Sequence, residues 1–501
     1  MKVHLAGYNI DTDVLRELQD KGGKRQDVTP EVISASYARI SRDPRPIAEI
    51  RSDARKEVEK ARRSNSTIIF KMGHHSVAEH AVFNLDITGV SRYAMEEVEK
   101  FRLCSYTEKS QRYITLEDDV VLPEEIRGTK SERLFSDTLR LQNEAYTRYY
   151  DRLKDHVFKT HADLAGDERN HNLLEGWAKE DARYITSLAT ASQVGLTINA
   201  RNLELMLRRF ASHPLREVQE LGKAIYDQIS EVAPSIVVFY NSNDRDQKTY
   251  PELRKLAESL LGNMAPSPAH GDVELIEHTP DGDGRIAAAL LHRSSTCTYQ
   301  QCYELIRTLS DADRKKIFET AWLHMQLYDS MLREFEYSTL TYAIVLSAAC
   351  FGQLKRHRMS TITAQEYNPQ LGVTVPASID ACGLRDDFMS VVGRTNDAYE
   401  HILGESPLIA PYVLTNSHRR RVLLHLNVRE LYHISRLRQD IHAQWDIRNV
   451  SSAMTECAKK VMPLSCALAG GKDAYVALYT SVFGREPQVT QARLPSSRKI
   501  R

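Results

Sequence analysis

Residues 272–279 (DVELIEHT) alternate apolar and polar side chains, the period of a strand buried on one face. Turn chemistry follows at Pro280-Asp281-Gly282-Asp283-Gly284, and then an apolar segment at 286–291. The chain opens in a similar way. Val3-His4-Leu5-Ala6 is a short strand candidate, and Thr29-Pro30-Glu31 reads as a helix start, with Thr as cap and Pro in the first turn. A succession that restarts near residue 272 predicts an internal duplication. The polar stretch 241–249 (NSNDRDQKT) and the Pro- and Gly-bearing stretch 262–271 (GNMAPSPAHG) predict a linker over 241–271. Helical spacing dominates the remainder. Ile47, Ala48, Ile50, Ala54, Val58 and Ala61 line one face of an amphipathic helix over 47–63. Residues 337–354 (YSTLTYAIVLSAACFGQL) are nearly all apolar or small and predict a buried helix. Residues 199–219 and 427–454 also read as helices. The fold class expected is α+β, rich in helix.

Charge narrows the function classes. Lys+Arg and Asp+Glu are both 67, so the formal net charge is zero, which argues against a generally basic nucleic-acid binder but not against a local anion site. No apolar run reaches the ~18 residues of a membrane span. Residues 1–7 lack the apolar core and cleavage site of a signal peptide, and 496–501 (SSRKIR) read as a basic tail. The seven cysteines are odd in number and form no CxxC, so a disulfide framework or structural zinc site is not expected. The expectation is a cytoplasmic protein with no metal, no nucleic acid and no membrane partner.

Four segments carry candidate chemistry. The run Gly73-His74-His75-Ser76-Val77-Ala78-Glu79-His80 suits a metal pair at His75 and Glu79 (i, i+4 on a helix), a capped helix start, or an anion site at a helix N-terminus. The run 102–113 (RLCSYTEKSQRY) is either a solvated polar loop or a site where Arg and Ser hold a phosphate and a carboxylate accepts from a sugar hydroxyl. Lys355-Arg356-His357-Arg358 either complements a helix C-terminus or surrounds an anionic cofactor. Residues 427–448 gather Asn427, Arg429, His433, Arg438 and the HAQWDIR run at 442–448. A weaker echo lies at Asn199-Ala200-Arg201 and Arg208-Arg209.

Together these segments resemble the flavin-dependent thymidylate synthases, the ThyX family. Its hallmark RHRxxSxxxxSxRY is preceded by GHxSxxEH and followed by an Asn-x-Arg helix. The first half matches in order: residues 73–80, Ser91-Arg92, 100–113, Arg183 and Asn199-Ala200-Arg201. The second half matches more faintly, through LIEHTP at 275–280, Arg356-His357-Arg358, Asn427-x-Arg429 and 442–448. The losses are complementary. Lys100-Phe101-Arg102 stands where RHR belongs, whereas Glu108, Ser110, Gln111 and Arg112 are kept. The second half keeps Arg356-His357-Arg358, but 360–368 (STITAQEYN) lacks the Ser and Arg of the nucleotide motif, and Pro411 stands near the place of Arg183.

The resemblance implies two fused ThyX-like domains, each a small sheet flanked by helices: 1–240, which keeps the nucleotide half, and 272–490, which keeps the flavin half, with 491–501 as a tail. It implies reductive methylation of dUMP to dTMP, with FAD as cofactor and NADPH and methylenetetrahydrofolate as co-substrates. Arg438 would polarise the uracil. Ser41, His74, Ser76, Glu79, Arg356, His357, Arg358, Asn427, Arg429 and His433 would hold flavin. Glu108, Ser110, Gln111, Arg112, Arg183 and Gln353 would hold the nucleotide. A homodimer would restore the family's four units. Two other readings stay open: a flavoenzyme of the same fold acting on another pyrimidine nucleotide, and a non-catalytic nucleotide- or flavin-binding protein.

Overall fold

A computed structural model describes residues 1–21, 28–40, 42–71, 73–111, 119–262, 264 and 271–488. It divides into two compact units. One is Met1–Pro266 together with Val375–Asn416; the other is Ser267–Thr374 together with Ser417–Arg501. The first unit thus takes in a segment that lies, by sequence, inside the second repeat.

The first unit is built on a four-stranded antiparallel sheet, ordered β1 (Lys2–Tyr8), β2 (Val82–Ser91), β4 (Ala191–Asn199), β3 (Cys104–Glu108). Strand β2 buries Phe83, Leu85 and Ile87 and turns Asn84 and Asp86 to solvent, the period-2 signature of a one-faced sheet. Its apolar face meets helices Ala200–Ala211 and Arg216–Ser230 through Leu203, Met206, Leu207, Phe210, Leu221 and Ile225. The 29-residue helix Glu132–Thr160 packs on His171–Ala182 and on Arg385–Glu405, which comes from the second repeat.

The second unit repeats the plan: β5 (Val273–His278), β6 (Thr339–Ser347), β8 (Arg419–Asn427), β7 (Thr361–Ala364), all antiparallel. The repeats share their punctuation. β2 and β6 end in Ser91 and Ser347, whose hydroxyls cap the following helix by accepting from Ala94 N and Cys350 N, each at 3.0 Å. β4 and β8 end in Asn199 and Asn427, which cap their helices from Asn202 N and Glu430 N. No helix among the described residues is long and apolar enough to cross a membrane.

Several local expectations need correction. Residues 337–354 are not one helix: β6 occupies Thr339–Ser347, and only Ala348–Leu354 is helical. The span 47–63 is broken at Glu57 into Ile47–Lys56 and Val58–Ser66. The spans 199–219 and 427–454 are each two helices. Pro30, not Thr29, holds the N-cap position of Glu31–Arg39, although Thr29 Oγ1 accepts from Glu31 N at 3.2 Å. The stretch 241–271 contains an 18-residue helix, Asp244–Leu261, opened by a capping box between Asn243 and Asp246. Asp246 meets Arg208 and Arg209 at 3.1 and 2.9 Å. The tail at 491–501 lies outside the described residues.

Candidate functional site

In the first unit, capping by Ser91 makes Arg92 the first residue of helix Arg92–Val98. Glu217 fixes that serine, accepting from its backbone N at 2.6 Å and its hydroxyl at 2.7 Å. Arg92 is buried, with Nη1 3.3 Å from Oε1 of Glu108 at the end of β3, and Ser192 on β4 donates to the same oxygen at 2.8 Å. The buried carboxylate is therefore both ion-paired and hydrogen-bonded, as burial of charge requires. Past Glu108 the chain turns. Lys109 N donates to Gln193 O at 2.8 Å, Ser110 is half-buried and Gln111 is buried. Arg183 opens the short 3-10 turn Arg183–Ile185, buried, with Nε donating to Glu180 O at 3.3 Å. The structure thus brings Glu108, Ser110, Gln111 and Arg183 to one unit, and the Asn416 side chain bridges Gln111 to the Arg183 backbone.

Arg112 and Ser41 lie outside the described residues. His74 and Ser76 are exposed at a 3-10 turn, His75–His80, rather than on an α-helix, so His75 and Glu79 do not share a face: a 3-10 turn aligns i with i+3. Glu79 pairs instead with Arg201. Among the described residues, no three His, Cys, Asp or Glu side chains are grouped to hold a metal.

The second unit holds the other expected set. Ser347 is fixed by Asp446 at 2.6 Å, as Ser91 is by Glu217. The helix it caps delivers Gln353, Arg356, His357 and Arg358 at its C-terminal end. Arg356 Nε donates to Gly352 O at 3.1 Å. His357 is 3% exposed, and its Nε2 accepts from Arg438 Nε at 2.8 Å. Arg438 Nη2 donates to Gln353 O at 3.1 Å, and Gln353 Nε2 to Gln444 Oε1 at 3.3 Å. The His433 ring stands edge-on to His357, centroids 5.7 Å apart. Arg429 spends Nε on Met331 O and Nη1 on Glu336, at 2.8 and 3.1 Å. Asn427 is an N-cap, and so is Gln444, whose side chain accepts from Asp446 N and Ile447 N.

An arginine can only donate, so Nε2 of His357 is an acceptor and the ring proton sits on Nδ1. That atom faces Glu430 Oε1 at 3.8 Å. Burial, then the charge of Arg438, then His433 hold the His357 pKa well below the usual imidazole range, so the ring is neutral. Burial pushes the Glu430 carboxyl up to about 7, with Arg429 opposing. Glu430, Ser192 and Asn416 were not expected as site residues. The Asn-x-Arg spacing pointed to the helix of Glu430; nothing in the local pattern marked Asn416.

The family model for the Thymidylate synthase complementing protein matches residues 26–235 and 274–464, one match per repeat. The chain belongs to that family, as a tandem pair. The "UPF0159 protein" of Chlamydia muridarum (strain MoPn / Nigg) is 24% identical over 442 residues, 82% of this chain and 81% of its own. A "Flavin-dependent thymidylate synthase" of Clostridium tetani is 27% identical over 212 residues, 41% of this chain and 80% of its own, about one repeat. A solved UMP/dUMP methylase PolB from Streptomyces cacaoi, bound with 5-Br dUMP, covers 47% of this chain and is 92% covered itself, with 16% identity and a TM-score of 0.33.

Proposed function

We propose that the protein is an FAD-dependent thymidylate synthase, converting dUMP to dTMP with methylenetetrahydrofolate as carbon donor and NADPH as reductant. The observation that carries this reading is the division of family residues between the repeats. Glu108, Ser110, Gln111 and Arg183 gather in the first unit; Arg356, His357, Arg358 and Arg438 gather in the second.

Each set suits its part. A nucleotide phosphate takes guanidinium and hydroxyl donors, the chemistry of Arg183, Arg112 and Ser110. The Glu108 carboxylate accepts from a sugar hydroxyl. Arg438 stabilises negative charge on a uracil carbonyl, and its two bonds to His357 and to Gln353 O preorganise it for that task. The donor set just past helix Ala348–Leu354, Arg356 and Arg358 beside a neutral His357, fits the phosphates of FAD through guanidinium donors. Bound FAD supplies the hydride chemistry, so no protein nucleophile is required. Two chains, giving four family-type units, form the proposed assembly in the cytoplasm.

The test is product analysis. Purified protein is expected to carry a flavin absorption band and to form dTMP from dUMP only when both methylenetetrahydrofolate and NADPH are present. A flavin-loaded preparation that consumes NADPH but forms no dTMP overturns the reading.

A further inference from the structure

Residues Val375–Asn416 belong by sequence to the second repeat but pack in the first unit. Ile402, Ile409, Tyr412 and Val413 are buried in the same core as Phe83 and Leu196. Tyr412 donates its hydroxyl to Glu217 Oε2 at 2.7 Å. The backbone is bonded in as well: Leu188 N donates to Leu414 O at 2.8 Å, and Asn416 N to Thr186 O at 2.9 Å. The segment ends at Asn416, which is 0% exposed.

The Asn416 amide has one satisfactory orientation. Arg92 Nε can only donate, so the group 3.1 Å away is Oδ1. The Arg183 carbonyl can only accept, so Nδ2 faces it at 3.1 Å, with Gln111 Oε1 at 3.2 Å and Thr186 Oγ1 at 3.0 Å. One amide therefore ties three separate stretches: Arg92 with its partner Glu108, the Gln111 turn, and the Arg183–Thr186 turn. Alignment of β4 with β8 through their terminal asparagines puts Leu188 at the same position of the first repeat, and leucine can make none of these bonds.

We infer that Asn416 is a positioning residue for nucleotide binding, supplied by the second repeat to the loop of the first. It acts through Gln111 and the Arg183 turn and touches no ligand itself. The inference rests on the nucleotide reading of that loop. The ligand class is a pyrimidine nucleoside monophosphate.

The test is titration calorimetry of dUMP into the full-length flavin-loaded protein. Asn416→Asp keeps the shape and the acceptor for Arg92 but sets an oxygen against the Arg183 carbonyl. It is expected to weaken dUMP binding about tenfold, the cost of a charge-assisted or buried hydrogen bond, with flavin per chain and a cooperative melt retained. In a Gln111→Ala background the same change is expected to add little, because the two act as one unit. Additive losses in the double variant, or unchanged affinity in a folded Asn416→Asp, overturn the inference. If Asn416→Asp fails to fold, Asn416→Ser carries the same measurement. A wild-type protein that binds flavin but no dUMP strikes the nucleotide reading itself and takes this inference with it. Wild-type binding with indifferent variants strikes this inference alone.

Discussion

Arg438 donates its Nε proton to Nε2 of His357 at 2.8 Å, inside a cluster where the imidazole is 97% buried. One bond settles two properties. The guanidinium is aimed by a neutral ring, and the ring cannot take up a proton without losing the bond. The pH dependence of kcat/KM is therefore expected to lack an inflection that His357→Gln removes, any inflection near pH 7 being that of Glu430 beside it and lost in Glu430→Gln. His357→Ala is expected to lower kcat/KM about tenfold to a hundredfold, the range for a charge-assisted bond of ~1.5–3 kcal/mol. Steady-state kinetics alongside thermal melts check both.

Arg356 and Arg358 follow the helix Ala348–Leu354 that Ser347 caps, and their charges suit flavin phosphates. The double change Arg356→Ala with Arg358→Ala is expected to weaken flavin binding about a hundredfold or more, two charge-assisted contacts being lost together. Absorbance per chain after gel filtration measures it. Full flavin content in the double variant would remove the cluster from the flavin site.

Arg183 is buried in the first unit, near the Gln111 turn. Arg183→Ala is expected to weaken dUMP binding about tenfold to a hundredfold while leaving flavin content unchanged, since the proposed flavin cluster of Arg356, His357 and Arg358 lies in the other unit. Calorimetry with a flavin spectrum on the same sample tests the separation.

Glu430 gives a stability prediction. Its folded pKa, pushed up to about 7 by burial, exceeds its unfolded value of about 4.5. The folded state thus binds the proton more tightly. Below about pH 4.5 the group costs nothing; the cost grows as pH rises to about 7 and is complete above it. Glu430→Gln removes an ionisable group that folding must bury, so it is expected to raise the melting temperature at pH 8, with the gain shrinking toward zero as the pH falls to 4.5. A gain of equal size at both ends would mean packing, not ionisation, is responsible.

Legibility in the sequence followed burial. Strands with one wet face were readable: the alternation of 272–279 became β5, and the run after Met1 became β1. β6 reads as helix because it is buried almost throughout, so its alternation vanishes and only an apolar run remains. The site motifs were readable because they are contiguous: Arg356-His357-Arg358, Asn427-x-Arg429 and the run from 102, whose residues 104–108 form strand β3 rather than a loop. Their bonding was not. Asn427 and Arg429 are engaged as an N-cap and in an ion pair, and Asn416 reaches the first unit from the far end of the chain, a relation no local pattern encodes.

The excursion of Val375–Asn416 also orders events during synthesis. The first unit's core includes Tyr412 and Val413, so a nascent chain that has finished residue 266 still lacks part of that core. At about 5–20 residues per second the wait to Asn416 is on the order of ten to thirty seconds, during which the incomplete core is exposed to chaperones or to aggregation. The same dependence makes the fusion hard to undo. A gene cut between the repeats yields a first product missing part of its interior and a second carrying an orphaned segment. Once joined in this way, the first unit depends on residues of the second repeat for part of its core.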